Sequence, residues 1–89
     1  MPKAYLKIDN QRGLHARAAA KFVKIASNYE IEVTVSKDGQ TVSGISIMGL
    51  LMLAAMPGDK IVLETTGAQA NEGLKALSDL IKKNNFEEL

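Results

Sequence analysis

Gly13-Leu14-His15-Ala16-Arg17-Ala18-Ala19-Ala20 is where a glycine turn gives way to a strong helix pattern, and it holds the only histidine of the 89 residues. Ala19, Phe22, Val23 and Ala26 follow at i, i+3, i+4 and i+7, the spacing of one apolar helix face. That spacing predicts a helix from about Ala16 to Ser27, with His15 at or beside its N-cap. The N–H groups of a first helical turn lack intrahelical acceptors. The helix dipole adds about half a positive charge at the same end. Together they form an anion site. An imidazole at its mouth, with the Arg17 guanidinium two residues on, suits a phosphorylated histidine. Spacing alone leaves His15 open between that role and a surface residue that merely caps a helix.

Outward from this stretch, Ala4, Leu6 and Ile8 alternate with Lys3, Tyr5, Lys7 and Asp9, which marks a half-buried strand. Asn10 to Gly13 is a polar loop with a glycine exit. On the helix, Arg17, Lys21 and Lys24 form a second, basic stripe, and Asn28 is the expected stop. Ile31, Val33 and Val35 alternate in a second strand. Asp38-Gly39 signals a hairpin, because both residues tolerate positive φ. A short third strand follows around Gln40 to Ser43, and Gly44 breaks it.

Ser46 is a preferred N-cap type, placed ahead of a short helix from Ile47 to Leu53. This helix is apolar almost all round. Leu50, Leu53 and Ala54 are assigned to the core, and Ile47, Met48 and Leu51 point away from it. A small domain has little room to bury both faces, so an exposed apolar patch is expected. Pro57-Gly58-Asp59 is a turn, and Ile61 and Leu63 mark a fourth strand that Gly67 ends. The last helix is predicted over Ala70 to Lys83, with Leu74, Leu77 and Ile81 as its core stripe and Leu80 at the edge. Asn84-Asn85 should stop it, and the tail from Phe86 to Leu89 is expected to fray.

The order βαββαβα implies an α+β open-faced sandwich, in which a four-stranded sheet is wet on one face and covered by helices on the other. A helical crossover between the first two strands makes them parallel and the connection right-handed. Residues 1–89 are expected to form one domain. A net charge of +1 argues against a dedicated nucleic-acid binder. With no cysteine and one histidine, neither a disulfide framework nor a thiolate or multi-histidine metal site is expected, and no organic cofactor is suggested. Met1 to Lys7 shows no long apolar run, so no signal peptide is expected and the cytoplasm is the expected compartment.

Gly-Leu-His-Ala-Arg at residues 13–17 resembles the active-site motif of the HPr family, the histidine phosphocarriers of the phosphoenolpyruvate-dependent phosphotransferase system. Gly44-Ile45-Ser46-Ile47-Met48-Gly49 resembles that family's regulatory serine and short second helix. Pro57-Gly58-Asp59 with Lys60 to Glu64 resembles its last strand, and Ala70 to Ile81 its last helix. The family usually has proline after the arginine, where this chain has Ala18, a departure that fits the nitrogen-related branch better than the sugar-uptake form.

The resemblance implies an antiparallel sheet in the order 1-4-2-3. It implies that His15 accepts a phosphoryl group at Nδ1 from phosphorylated enzyme I and passes it to a histidine of an enzyme IIA protein. The chain would be a stoichiometric, monomeric carrier and not an enzyme. Arg17 would stabilise the phosphate, with the backbone of Ala16 and Arg17 binding it. Ser46 would be the regulatory site of a cognate HPr kinase/phosphorylase. Ala20, Lys21, Lys24, Ile47, Met48 and Leu51 would form the surface that receives partners. Lys21 and Lys24 fit either a wet helix face or electrostatic steering towards acidic partners. A regulatory module whose phosphorylation changes partner choice without onward transfer is the alternative. An RNA-binding sheet would need exposed aromatics, and only Tyr5 qualifies.

Overall fold

Side-chain alternation builds the sheet and apolar stripes dock the helices on it. The computed structural model describes residues 1–9 and 12–82. In chain order the elements are β1 (Lys3–Lys7), α1 (Ala16–Ala26), β2 (Glu32–Lys37), β3 (Gln40–Ser43), α2 (Ile47–Leu53), β4 (Lys60–Thr66) and α3 (Ala70–Lys82). The predicted stop at Asn84-Asn85, the placement of Lys83, the tail 86–89 and the Asn10-Gln11 part of the first loop lie outside the described residues.

The sheet order is β1-β4-β2-β3, as the family resemblance implies. Every neighbouring pair is antiparallel. Since β1 and β2 both run antiparallel to β4, they are parallel to each other, as the helical crossover demands, yet never touch as neighbours. The register sets Leu6 opposite Ile61 and Val35 opposite Leu63, and these four residues are buried. On the other face Tyr5 lies opposite Val62, and Tyr5 is exposed. Asp38 (φ 51°) and Gly39 (φ 84°) both take left-handed backbone in the β2–β3 hairpin, the geometry that the pair Asp-Gly favours.

The helices close the covered face. Ala18, Ala19, Phe22 and Ala26 of α1, Leu50 and Leu53 of α2, and Leu77, Leu80 and Ile81 of α3 join the strand residues in one buried cluster. α1 packs against both α2 and α3. The buried Thr65 is satisfied, because its hydroxyl donates to the Ala70 carbonyl at 2.7 Å and ties the end of β4 to the start of α3.

Three sequence expectations need correction. Ala54 is exposed, not core: it follows the last turn of α2 in left-handed conformation (φ 55°), which turns its side chain away. Leu80 is buried, not peripheral, while Leu74 is only half-buried. Leu51 is half-buried against the core, so its side chain is shared between core and surface.

The two faces of α2 therefore differ sharply in their expected tolerance. Leu50→Ala removes a fully buried side chain and should cost about 2–5 kcal/mol. Met52→Ala, on the exposed face, should stay within about 0.5 kcal/mol. Urea unfolding with a shared slope would measure both.

Candidate functional site

His15 is the N-cap of α1, with extended backbone (φ −84°, ψ 178°). Its carbonyl accepts the first helical bond, from Ala19 N–H at 2.8 Å. The His15 side chain makes no cap bond, and no acidic residue stands in the first turn of the helix. The amides of Ala16, Arg17 and Ala18 thus have no acceptor among the described residues. The helix end keeps its donors and its positive potential for an outside anion.

The imidazole is asymmetric. His15 is half-buried, and its Nε2 is shut off from solvent without a hydrogen-bond partner among the described residues. Attack through Nε2 would require the ring to leave its seat. Arg17 is exposed and makes no ion pair among the described residues, so its guanidinium is uncommitted.

A second segment holds the His15 turn in place. Leu14 N–H donates to the Ala55 carbonyl at 2.8 Å. Gly13 lies so close to this loop that a Cβ there would collide with the Ala55 carbonyl oxygen and sit 2.9 Å from Met56 Cα. Gly13 also has φ +66°, a conformation that other residues avoid. Glycine is required at this position on both counts, and the requirement explains the glycine two residues before the histidine.

The Ala55–Met56 loop is itself fastened. Lys37, at the end of β2, reaches the C-terminus of α2 and donates to the Ala54 carbonyl at 2.9 Å. The same ammonium pairs with the Asp59 carboxylate at 3.1 Å. Asp59 accepts from Met56 N–H at 2.9 Å and returns a backbone bond to the Met56 carbonyl, closing the turn around Pro57 and Gly58. Asp59 and Gly58 then bond the backbone of Ile8, just past β1, at 2.8 Å each. The path from Lys37 through Asp59 and Ala55 to Leu14 ends one residue before His15. Its members were not singled out as functional in the sequence. Only the Pro57-Gly58-Asp59 turn signal pointed to the loop.

The remaining site residues fall on two neighbouring surfaces. Arg17, Ala20, Lys21 and Lys24 line one shallow depression along α1, together with Ile25, which sequence reading passed over, and Asn28, which it marked only as the helix stop. The helical spacing of Ile25 from Lys21 was the available signal. Ser46 is the N-cap of α2, and its hydroxyl accepts from Gly49 N–H at 2.9 Å. Ile47 and Met48 are exposed as expected, and Leu51 contributes only partly. Met52 of the same helix and Met56 of the loop after it are exposed as well, beyond the predicted residues. Among the described residues no group of acidic, histidine or cysteine side chains could hold a metal ion, and no helix is long and apolar enough to cross a membrane.

Residues 3–83 match the family model for the HPr component phosphorylation site of the phosphotransferase system. The chain is 52% identical over 81 residues to the phosphocarrier protein HPr of Neisseria meningitidis serogroup A, covering 91% of each chain. It is 47% identical over 89 residues to that of Pseudomonas aeruginosa, covering 99% of this chain and 98% of the relative. The crystal structure of HPr-C-His from Thermoanaerobacter tengcongensis is similar over the whole of both chains, with a TM-score of 0.93 at 40% identity.

The Asp59 fastening has a pH signature. The Met56 N–H, then the Lys37 ammonium, hold the Asp59 carboxyl below its ordinary value of 3.8. As pH falls, the unfolded chain takes up this proton before the folded one does. The stabilisation is complete above the ordinary value and is lost as pH drops through the lowered one. Asp59→Asn should be less stable than wild type at neutral pH, and the two stabilities should converge in acid below 3.8. Urea midpoints across pH would show it; curves that stay parallel would reject the fastening.

Proposed function

Because the chain belongs to the HPr family of phosphotransferase-system phosphocarriers, we propose that His15 accepts a phosphoryl group from phosphorylated enzyme I and passes it to a histidine of an enzyme IIA protein. One observation supports this assignment to His15: the histidine caps a helix whose first-turn amides have no other acceptor among the described residues. A phosphate on the ring brings oxygens to those donors.

In the proposed step, the Nδ1 lone pair of neutral His15 attacks the phosphorus of the donor phosphohistidine. The new N–P bond forms as the donor's N–P bond breaks, and that electron pair returns to the donor ring. In this step the ring proton stays on Nε2, the nitrogen shut off from solvent. The amides of Ala16 and Arg17 then donate to the phosphate oxygens, and the Arg17 guanidinium adds charge-assisted bonds. Onward transfer repeats the exchange with the acceptor histidine as nucleophile. The chain is consumed and regenerated, and so acts as a substrate of its partners.

Partners dock on the joined surface of α1 and α2. Ala20, Lys21 and Lys24 flank Arg17, and the lysines steer acidic partners. Ile47, Met48 and the exposed part of Leu51 supply apolar contact. Such side chains repack readily against more than one partner. Phosphorylation of Ser46 by an HPr kinase/phosphorylase would place a dianion beside this apolar contact and weaken docking without unfolding α2. In this reading the carrier is a cytoplasmic monomer, and Ala18 in place of proline supports a nitrogen-related role.

Incubation with enzyme I, magnesium and phosphoenolpyruvate should add one phosphoryl group, seen by intact mass and lost in mild acid. His15→Ala should add none; phosphorylation of that variant at the same rate would sink the assignment. Arg17→Lys loses the planar fork and about 1.5–3 kcal/mol of charge-assisted bonding, so transfer should slow about 10- to 100-fold. For Ser46→Asp, KM with enzyme I should rise about tenfold or more while kcat holds. An unchanged KM would remove Ser46 from the docking surface.

A further inference from the structure

Sulfur in this chain is confined to methionine: there are four methionines and no cysteine. None of the four is in the core, which is built from leucine, isoleucine, valine, alanine and phenylalanine. This is unusual placement for a side chain that ordinarily fills gaps in protein interiors. Three of them fall in α2 and the loop that follows it. Met48 and Met52 lie on α2 at i and i+4, with exposures of 67% and 75%. Met56, 56% exposed, lies in the loop that touches Gly13. The two helical side chains share one face of α2.

We propose that Met48, Met52 and Met56 form a reversible oxidation site, at which a peroxide-class oxidant switches off partner docking while the fold stays intact. The inference rests on the docking surface proposed above and adds a regulatory input to it.

The chemistry is a balanced two-electron oxygen transfer. The thioether lone pair attacks one peroxide oxygen, the S–O bond forms and the O–O bond breaks. The thioether is oxidised to the sulfoxide, the peroxide is reduced, and water leaves. A thiol-dependent methionine sulfoxide reductase removes the oxygen again, at the expense of two thiols that become a disulfide. Exposure leaves all three sulfurs' side chains open to small oxidants in the free protein. Each sulfoxide turns an apolar contact into a polar group that must be desolvated when a partner docks.

Selectivity for function over stability follows from the burial pattern. An oxidised core methionine would disrupt packing, but here no buried side chain changes. The core face of α2, Leu50 and Leu53, has no oxidisable atom. The state that results is a folded carrier with an impaired surface. It also differs from the Ser46 input, since it adds polarity without adding charge.

The test treats the purified full chain with hydrogen peroxide, removes the oxidant, and only then adds enzyme I and phosphoenolpyruvate. Peptide mass mapping should place oxygens on Met48, Met52 and Met56. The rate of phosphorylation at low carrier concentration should fall about tenfold, in line with loss of a contact at an interface hot spot. Treatment with methionine sulfoxide reductase and dithiothreitol should restore it. The thermal midpoint should shift little throughout. A Met48→Leu/Met52→Leu/Met56→Leu variant, whatever its starting rate, should show the same rate before and after peroxide.

Full oxidation of the three residues with an unchanged rate would overturn the proposal. So would a fall in rate accompanied by loss of the cooperative unfolding transition, or a fall that persists in the triple variant. The docking surface is tested separately by Met48→Glu in the unoxidised protein. If that variant is impaired and oxidation has no effect, the redox input fails and the docking surface stands. If Met48→Glu transfers normally, the docking surface itself fails.

Discussion

The close approach of the Gly13-Leu14 turn to the Ala55–Met56 loop is the constraint on which the site depends. It combines one backbone hydrogen bond of 2.8 Å with a position where no Cβ fits. A histidine at a helix start is held only as well as the turn that precedes it. Here that turn is pressed against the segment leaving α2, and the segment is tied by Asp59 to Lys37 and to the end of β1. The N-terminus of α1 and the C-terminus of α2 are therefore fixed to each other through main-chain contacts. Arg17, Lys24, Ile47 and Met48 stay exposed on the outer faces of the two helices.

This arrangement suits a carrier. A catalyst with its own pocket must bury its substrate. A carrier must offer one group at the surface, stabilise it and give it up. The uncapped amides of α1 supply fixed positive ends of dipoles with no reorganisation cost. Their strength is limited because the site is open to water, and an open site allows the group to leave. The surface proposed for docking has the same character. Its apolar residues stand on a two-turn helix whose inner face, Leu50 and Leu53, is anchored in the core. The outer face can then change chemically with little effect on the fold.

Much of this was legible in the sequence because it is local. Period-two alternation at Leu6, Val33, Val35, Ile61 and Leu63 marked the buried strand faces, and all five are buried. Ser46 announced the start of α2 through its capping chemistry, and its hydroxyl makes the expected bond. Asp38-Gly39 marked the hairpin, which adopts the expected left-handed pair. The errors were also local in origin. Helical spacing grouped Ala54 with Leu50 and Leu53, but the chain turns left-handed at that residue. Leu80 sat at the margin of the predicted stripe on α3, and packing against the sheet decided its burial.

By itself the sequence determined the order of elements, the inward face of each strand and the placement of a lone histidine at a helix start. These depend on backbone preferences and side-chain spacing within a few residues. The insertion of β4 between β1 and β2 was implied only by likeness to a family, because helical crossover requires parallel strands but not adjacent ones. The tertiary structure alone decided that Lys37 reaches the end of α2, that Asp59 fastens the loop beneath Leu14, and that Nε2 of His15 is shut away from solvent. It also decided that Met48 and Met52 of α2 and Met56 of the following loop are all exposed. Those facts arise from contacts between segments far apart in the chain, where the fold sets the distance and no local pattern can.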